Sequence, residues 1–442
     1  MLNEELINKW QPVLDHSDLP EIKDHYRKVV TAHMLEQQEN ALAEQASVQG
    51  AGSTSLLGES SSPITQAANV QNFDPVLISL VRRTAPNLIA FDIMGVQPMS
   101  GPTGLIFALR PTYGKVQGGG STDGANAFYN EANTGFSAGR DAMTAFGANL
   151  FFEGVASEMS FHQAALRDTA EEWGSGSNND IPSMSFYIDK STVEARTRAL
   201  KAEYSVELAQ DLKAIHGLDA ETELANILTT EINAEINREI VRAVYMTATG
   251  SGQISARASR PSGNMSFTDS NLGNLDGRWL VERFKSLVFK IETEANAIAK
   301  NTRRGKGNFI ICTSDVASAL ATAGVLDPTA ALTVDDTGST FAGTIGSGMK
   351  VYIDPYSITG DDFVVVGYKG TSPYDAGMFY CPYVPLQMVR AIGEDNFQPK
   401  IGFKTRYGIG LNPFATDTGT AAIAVRNNNR YYRGFAITNL SG

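Results

Sequence analysis

The chain has 442 residues, is 42% apolar and 19% charged, and carries a formal net charge of -12. Its length exceeds one ordinary hydrophobic core, and its composition excludes a disordered polymer. The acidic balance repels nucleic-acid phosphates, so sequence-specific nucleic-acid binding is not expected.

The first 59 residues stand apart. They hold ten acidic and four basic side chains, a net charge of -6, half that of the whole chain. Two helices are expected, about Asn3–Leu14 and one opening at Pro20 and running to about Gln45. Neither carries a wide apolar stripe, so the head is expected to have too little apolar surface for the main core. It ends in a Ser/Gly-rich linker, Ala46–Ser55 and Ser60–Pro63, whose composition suits protease access. The N-terminus lacks a basic region followed by an apolar one, so no signal peptide is expected. No apolar run approaches the roughly 18–20 residues of a membrane-crossing helix. A soluble chain made in the cytosol follows.

From Leu88 to Val96 apolar residues run between Pro86 and Pro98, which reads as an extended segment. Residues 114–185 are rich in Gly, Ser, Ala and Asn and read as a long excursion, a hairpin with a small lobe. Ser191–Thr247 reads as the most helical region, broken at His216-Gly217-Leu218, with Asp219 as N-cap. Beyond the break, Leu224, Ile227, Leu228, Ile232, Ile236, Ile240 and Val244 mark one face of a helix over Ala220–Thr247. Phe284, Leu287, Val288, Ile291, Ala295 and Ile298 mark another. Asn308–Cys312, Lys350–Asp354, Asp362–Tyr368 and Met378–Tyr383 read as strands of an α/β lobe, with a helix at Asp315–Thr322.

Chemical motifs are scarce. Gly346-Ser347-Gly348-Met349-Lys350 has no Walker spacing and reads as a turn into the next strand. The five histidines have no metal-ligand spacing. Asp335-Asp336 and Asp361-Asp362 lack a calcium-loop ladder and read as turn residues. Cys312 and Cys381 flank apolar residues and read as buried free thiols; a disulfide between them has no support in the sequence. No catalytic, cofactor-binding or metal residue is assigned, and no cofactor is expected.

Three long blocks carry a family resemblance: Val81–Met99, Leu200–Leu212 and Asn396–Phe414. Their text and order resemble the major capsid protein of T4-like tailed bacteriophages. That resemblance implies an α+β HK97-like capsid fold, with a long spine helix, an extended loop, a peripheral domain and an axial α/β domain. It divides the chain into an acidic helical, scaffold-contacting propeptide (1–59), an N-terminal arm and start of the peripheral domain (60–113), and an extended loop with a reduced insertion (114–185). The spine helix and peripheral domain follow (186–275), then the axial domain (276–395) and a return to the peripheral domain (396–442).

The implied role is mechanical and not enzymatic. Hexameric capsomers would build an icosahedral or prolate shell around double-stranded DNA, in the virion of a myovirus assembled from protein made in the host bacterial cytoplasm. Implied partners are other copies of the chain, a vertex protein, scaffold and core proteins, a maturation protease and decoration proteins. The protease of such phages cuts after Glu in a Leu/Ile-x-Glu pattern, which Leu57, Gly58 and Glu59 resemble, leaving Ser60 first. The pattern recurs at Glu4, Glu21, Glu44, Glu282 and Glu394, so accessibility must decide. Two alternatives stand: the pentameric vertex protein of the same family, and a cytosolic hydrolase suggested only by size, α/β content and glycines.

Overall fold

A computed structural model describes chiefly residues 2–16, 24–52, 81–82, 88–114, 167–171, 181–250, 280–327, 341–356, 362–392, 398–415 and 429–438. Two head helices come first, α1 (Leu2–Leu14) and α2 (His25–Gly52). A single turn α3 (Ala90–Ile93) leads into strand β1 (Gly95–Val96), and β2 (Thr103–Tyr113) follows. After α4 (Arg167–Glu171) come β3 (Met184–Glu194) and β4 (Arg196–Glu203). Helices α5 (Val206–His216) and α6 (Ala220–Thr247) precede β5 (Ala248–Gly250) and β6 (Met265–Ser266). Helix α7 (Leu280–Thr302), β7 (Phe309–Cys312) and α8 (Ser314–Thr322) open the next section. Its strands are β8 (Leu326–Asp327), β9 (Phe341–Ile345), β10 (Met349–Ile353) and β11 (Asp362–Gly367). The chain closes with β12 (Met378–Ile392), β13 (Pro399–Leu411) and β14 (Asn429–Thr438).

The class is α+β. One sheet has four strands in the order β1-β12-β13-β4. A larger one runs β5-β14-β11-β7-β10-β9-β8, with β6 also on β14. Among the described residues, β2 and β3 form a two-stranded sheet of their own. The chain divides into two compact units. One comprises 1–106, 191–299 and 304–442; the other comprises 107–190 with 300–303.

Within the first unit α6 is about 42 Å long at 1.5 Å per residue. Its row Leu228, Ile232, Ile236, Ile240 and Val244 is buried in the larger core cluster, with Phe403, Tyr407 and Leu411 of β13. Ile227 departs from the expected face and is 61% exposed. It is adjacent to Leu228, and one residue is a 100° turn of the helix, which carries it off the stripe. Helix α7 buries Phe284, Leu287, Ile291, Ala295 and Ile298 in a second cluster with Ile310, Val351 and Val364 of the larger sheet.

Ion pairs fix α6 on two sides. Arg198 of β4 meets Glu235 at 2.7 Å and Glu239 at 2.6 Å, and its Nε donates to the Tyr407 hydroxyl. Arg238 donates twice to Asp354 at the end of β10, at 2.8 and 2.6 Å, and the Tyr245 hydroxyl donates to the same carboxylate. The Asp354 side chain is only 2% exposed, so its charge depends on these partners.

Several expectations are corrected. The helical region begins at Val206, because 191–203 belong to β3 and β4; Leu200 and Ala202 pack against the core with strand period. Leu88–Val96 is not fully extended, since α3 interrupts it. Met378–Tyr383 opens β12 of the four-stranded sheet and does not join the α/β lobe. The second head helix starts at His25, later than Pro20. Asp219 is the N-cap residue of α6 as expected, with extended backbone, but its carboxylate accepts from the Thr222 hydroxyl at 3.0 Å and not from a backbone amide.

Two substitutions test this frame. Ile236→Asp puts an unpaired charge in the core, and Arg238→Ala strips the ion partner from buried Asp354. Each should cost about 3–5 kcal/mol in thermal unfolding. Unchanged melting would show that the row, or the pair, does not hold the helix.

Candidate assembly and processing site

The three sequence blocks converge in space. Block one supplies β1, block two (Leu200–Leu212) the end of β4, and block three supplies β13: three strands of one four-stranded sheet. Their register is set across strands. Lys400 lies opposite Glu203 and reaches it at 3.0 Å, while Arg198 of β4 lies opposite Thr405 of β13 and extends to α6. The glycines of Tyr407-Gly408-Ile409-Gly410 have a steric cause. A Cβ at Gly408 or Gly410 would run into Val193 of β3, so only a bare backbone lets β3 lie close against β13.

The β2–β3 ribbon carries an unusual surface. Along β2, Ile106, Ala108, Arg110 and Thr112 are buried while Leu105, Phe107 and Leu109 are exposed, Phe107 to 63%. Along β3, Met184, Phe186 and Ile188 are exposed as well. Strand alternation therefore buries one face of β2 and presents a row of large apolar side chains on the other. A soluble monomer rarely leaves such a patch bare.

The head is the main surprise. It is expected to stay out of the core, yet Trp10, Leu14, Val30, Ala32, Met34 and Leu35 are buried in the same cluster as α6. The apolar positions are few but concentrated where α1 and α2 meet the body. Lys9 of α1 pairs with Glu36 at 2.7 Å and Glu39 at 2.6 Å, and the Trp10 indole N–H donates to Glu36, closing α1 on α2. Arg27 of α2 pairs with Asp92 of α3 at 2.6 Å and lies over the Phe91 ring. The buried guanidinium of Arg82 donates to the Leu14 carbonyl at 2.7 Å, tying the end of α1 to the body.

Leu57, Gly58, Glu59 and Ser60 lie outside the described residues, as do Glu21 and Glu394. Of the competing Leu/Ile-x-Glu positions, Glu4, Glu44 and Glu282 are helical and would have to unwind to enter a protease groove. Asp92, Arg27 and Lys369 were missed from sequence. Their one signal was Asp92, a lone charge inside an apolar run, which in a buried setting demands a partner. Cys312 and Cys381 are free and buried, and burial pushes both thiols up to about 12, which leaves them poor nucleophiles. Gly348, at φ 81°, makes the expected turn between β9 and β10. Among the described residues no group of three or more His, Cys, Asp and Glu could hold a metal, and no helix is long and apolar enough to cross a membrane.

Lys369 is enclosed beneath α3 and donates to the Phe91 carbonyl. Desolvation lowers its ammonium to about 8 from 10.5, against the opposing pull of Asp92. The unfolded chain thus holds more protons above pH 8, so this group's penalty is full below 8 and relaxes as pH rises. Stability should increase by about 2 kcal/mol between pH 8 and 10. Above 10 the buried tyrosines, whose hydroxyls are raised by burial, reverse the trend. Lys369→Met should flatten the rise in a pH series of denaturation curves.

The family model described as major capsid protein Gp23 matches residues 70–437. The major capsid protein of Serratia phage KSP90 is 37% identical over 463 residues, covering 100% of this chain and 99% of that protein. That of Enterobacteria phage T4 is 36% identical, over 94% of this chain and 93% of its own. The T4 capsid vertex protein is 28% identical over only 54% of this chain and 55% of its own. With β1, β4 and β13 lying inside the matched span, the chain belongs to the major capsid protein Gp23 family.

Proposed function

We propose that the chain builds the head shell of a T4-like phage, as hexameric capsomers enclosing double-stranded DNA. The observation that carries the assembly reading is the apolar outer face of the β2–β3 ribbon, with Leu105, Phe107, Leu109, Phe186 and Ile188 open to solvent. A second copy is the partner it suits. Contacts of this size are individually weak, and a closed shell multiplies them. The hexamer protein is favoured over the pentameric vertex protein because likeness to the former spans the whole chain and likeness to the latter about half. A structural family also leaves the hydrolase alternative without support.

Maturation by proteolysis is the second part of the proposal. The head carries -6 of the subunit's -12, so its loss would leave -6 and reduce repulsion of the packed DNA. Leu57-Gly58-Glu59 ends that segment within a Ser/Gly linker, where an extended conformation costs little. Scaffold contact by the head's outer acidic face fits the same reading. Apolar poverty of the head, by contrast, no longer supports removal.

Two outcomes are expected. Deleting residues 117–180, or introducing Phe107→Glu with Phe186→Glu, should yield folded protein that forms no shells in electron micrographs; normal particles would exclude the ribbon as an assembly contact. Mass spectrometry of DNA-filled heads should find chains beginning at Ser60, and Glu59→Gln should trap particles empty of DNA. Intact residues 1–59 in filled heads would refute the cut.

A further inference from the structure

Among the described residues strand β1 is an edge of the four-stranded sheet, paired with β12 alone. Gln97 and Met99 direct their amides inward to Tyr380 and Pro382 of that neighbour. The carbonyl of Val96 points the other way, and there the Tyr26 hydroxyl of α2 donates to it. Further along, the Gln37 side chain donates to the Met99 carbonyl. Strand β12 contributes an amide too. Its pairing with β13 slips between Val384 and Gln387, beside Pro385, and Leu386 is left out of the ladder. The Leu386 amide donates instead to the Gln38 side chain at 3.3 Å. Helix α2 thus serves main-chain groups that an open strand edge would present to any second strand.

The same contact covers apolar surface. Phe91, Ile93, Val96 and Leu386 are all buried, in one cluster with the head residues. One charge pair lies within it: Arg27 on Asp92, whose side chain is 7% exposed. A pair this enclosed sets the register of the helix more than it adds affinity. Cutting the linker would change the physics of this contact. While tethered, α2 re-binds its face at high effective concentration; once cut, it must hold by its own affinity.

We propose that the head is a cis cover for a subunit contact surface, made of the β1 edge and the face around Phe91 and Leu386. After the head leaves, a second copy of the chain takes that surface. A bare apolar face with open carbonyls is unfavourable in water, and in a shell the macromolecule at high local concentration is another copy. The second step rests on the proteolytic reading above; the cover itself does not.

Hydroxyl-radical footprinting of Phe91 and Met99 tests both steps, on unassembled full-length chain, uncut Glu59→Gln shells and mature shells. Wild-type protein should be protected in all three. In the full-length chain, Arg27→Asp or Asp92→Arg should raise labelling at least fivefold, and the combined swap should restore protection. If a reversed charge prevents folding, Tyr26→Phe and Arg27→Gln carry the same comparison with smaller rises. Unchanged labelling in these variants would overturn the cover. A fivefold rise in mature shells, or head peptide still seated there, would overturn the second-copy contact. If mass spectrometry shows no cut, the proteolytic reading and the contact step fail together, and the full-length variants still decide the cover.

Discussion

The long helix α6 can hold its place because charges on neighbouring faces of it are satisfied by different sheets. Glu235 and Glu239 face Arg198 of the four-stranded sheet, and Arg238 faces Asp354 at the end of a strand of the larger one. Beside these pairs an apolar row fills the core. Apolar burial is non-directional and would tolerate the helix sliding along its axis. Enclosed ion pairs are not: a slip of one residue would strand Asp354 without its guanidinium, in a site where water cannot replace it. Register is therefore a matter of electrostatics here, and cohesion a matter of apolar area.

A shell subunit faces a conflict that an enzyme does not. It must be stable alone, yet keep surfaces unsatisfied until other copies arrive. On the proposed reading the chain meets this in two ways. On the β2–β3 ribbon it leaves large apolar side chains exposed, spaced by strand alternation so that the opposite face of β2 stays buried. On the β1 edge it covers the surface with its own N-terminal helices. An exposed row suits contacts made at once, and a covered edge suits contacts deferred.

The head combines opposite properties. Its acidic side chains give it half the chain's net negative charge, while a few apolar positions bind it into the main core. Acidic character suits release once repulsion matters, and buried anchors such as Trp10 and Leu35 suit retention before that. On the proposed cut, loss of tethering through the linker would tip the balance between the two.

Local sequence determined much of this protein. The periodicities of α6 and α7 placed both helices to within a few residues, since amphipathic rows need no distant partner to be read. Gly348 made its turn as expected for the same local reason. The family blocks pointed to the chain's kinship with capsid proteins without any site chemistry. Tertiary structure alone decided that those blocks each supply a strand to one sheet, because pairing such as Gly95 with Phe379 or Leu200 with Phe403 leaves no trace in neighbouring residues. It alone decided that 191–203 form strands, where a helical reading was locally as good and the partner strand β13 settled the matter. And it alone showed the head packed on the body. Few apolar residues suffice when each is fully buried, and how fully a residue is buried depends on what the fold brings against it.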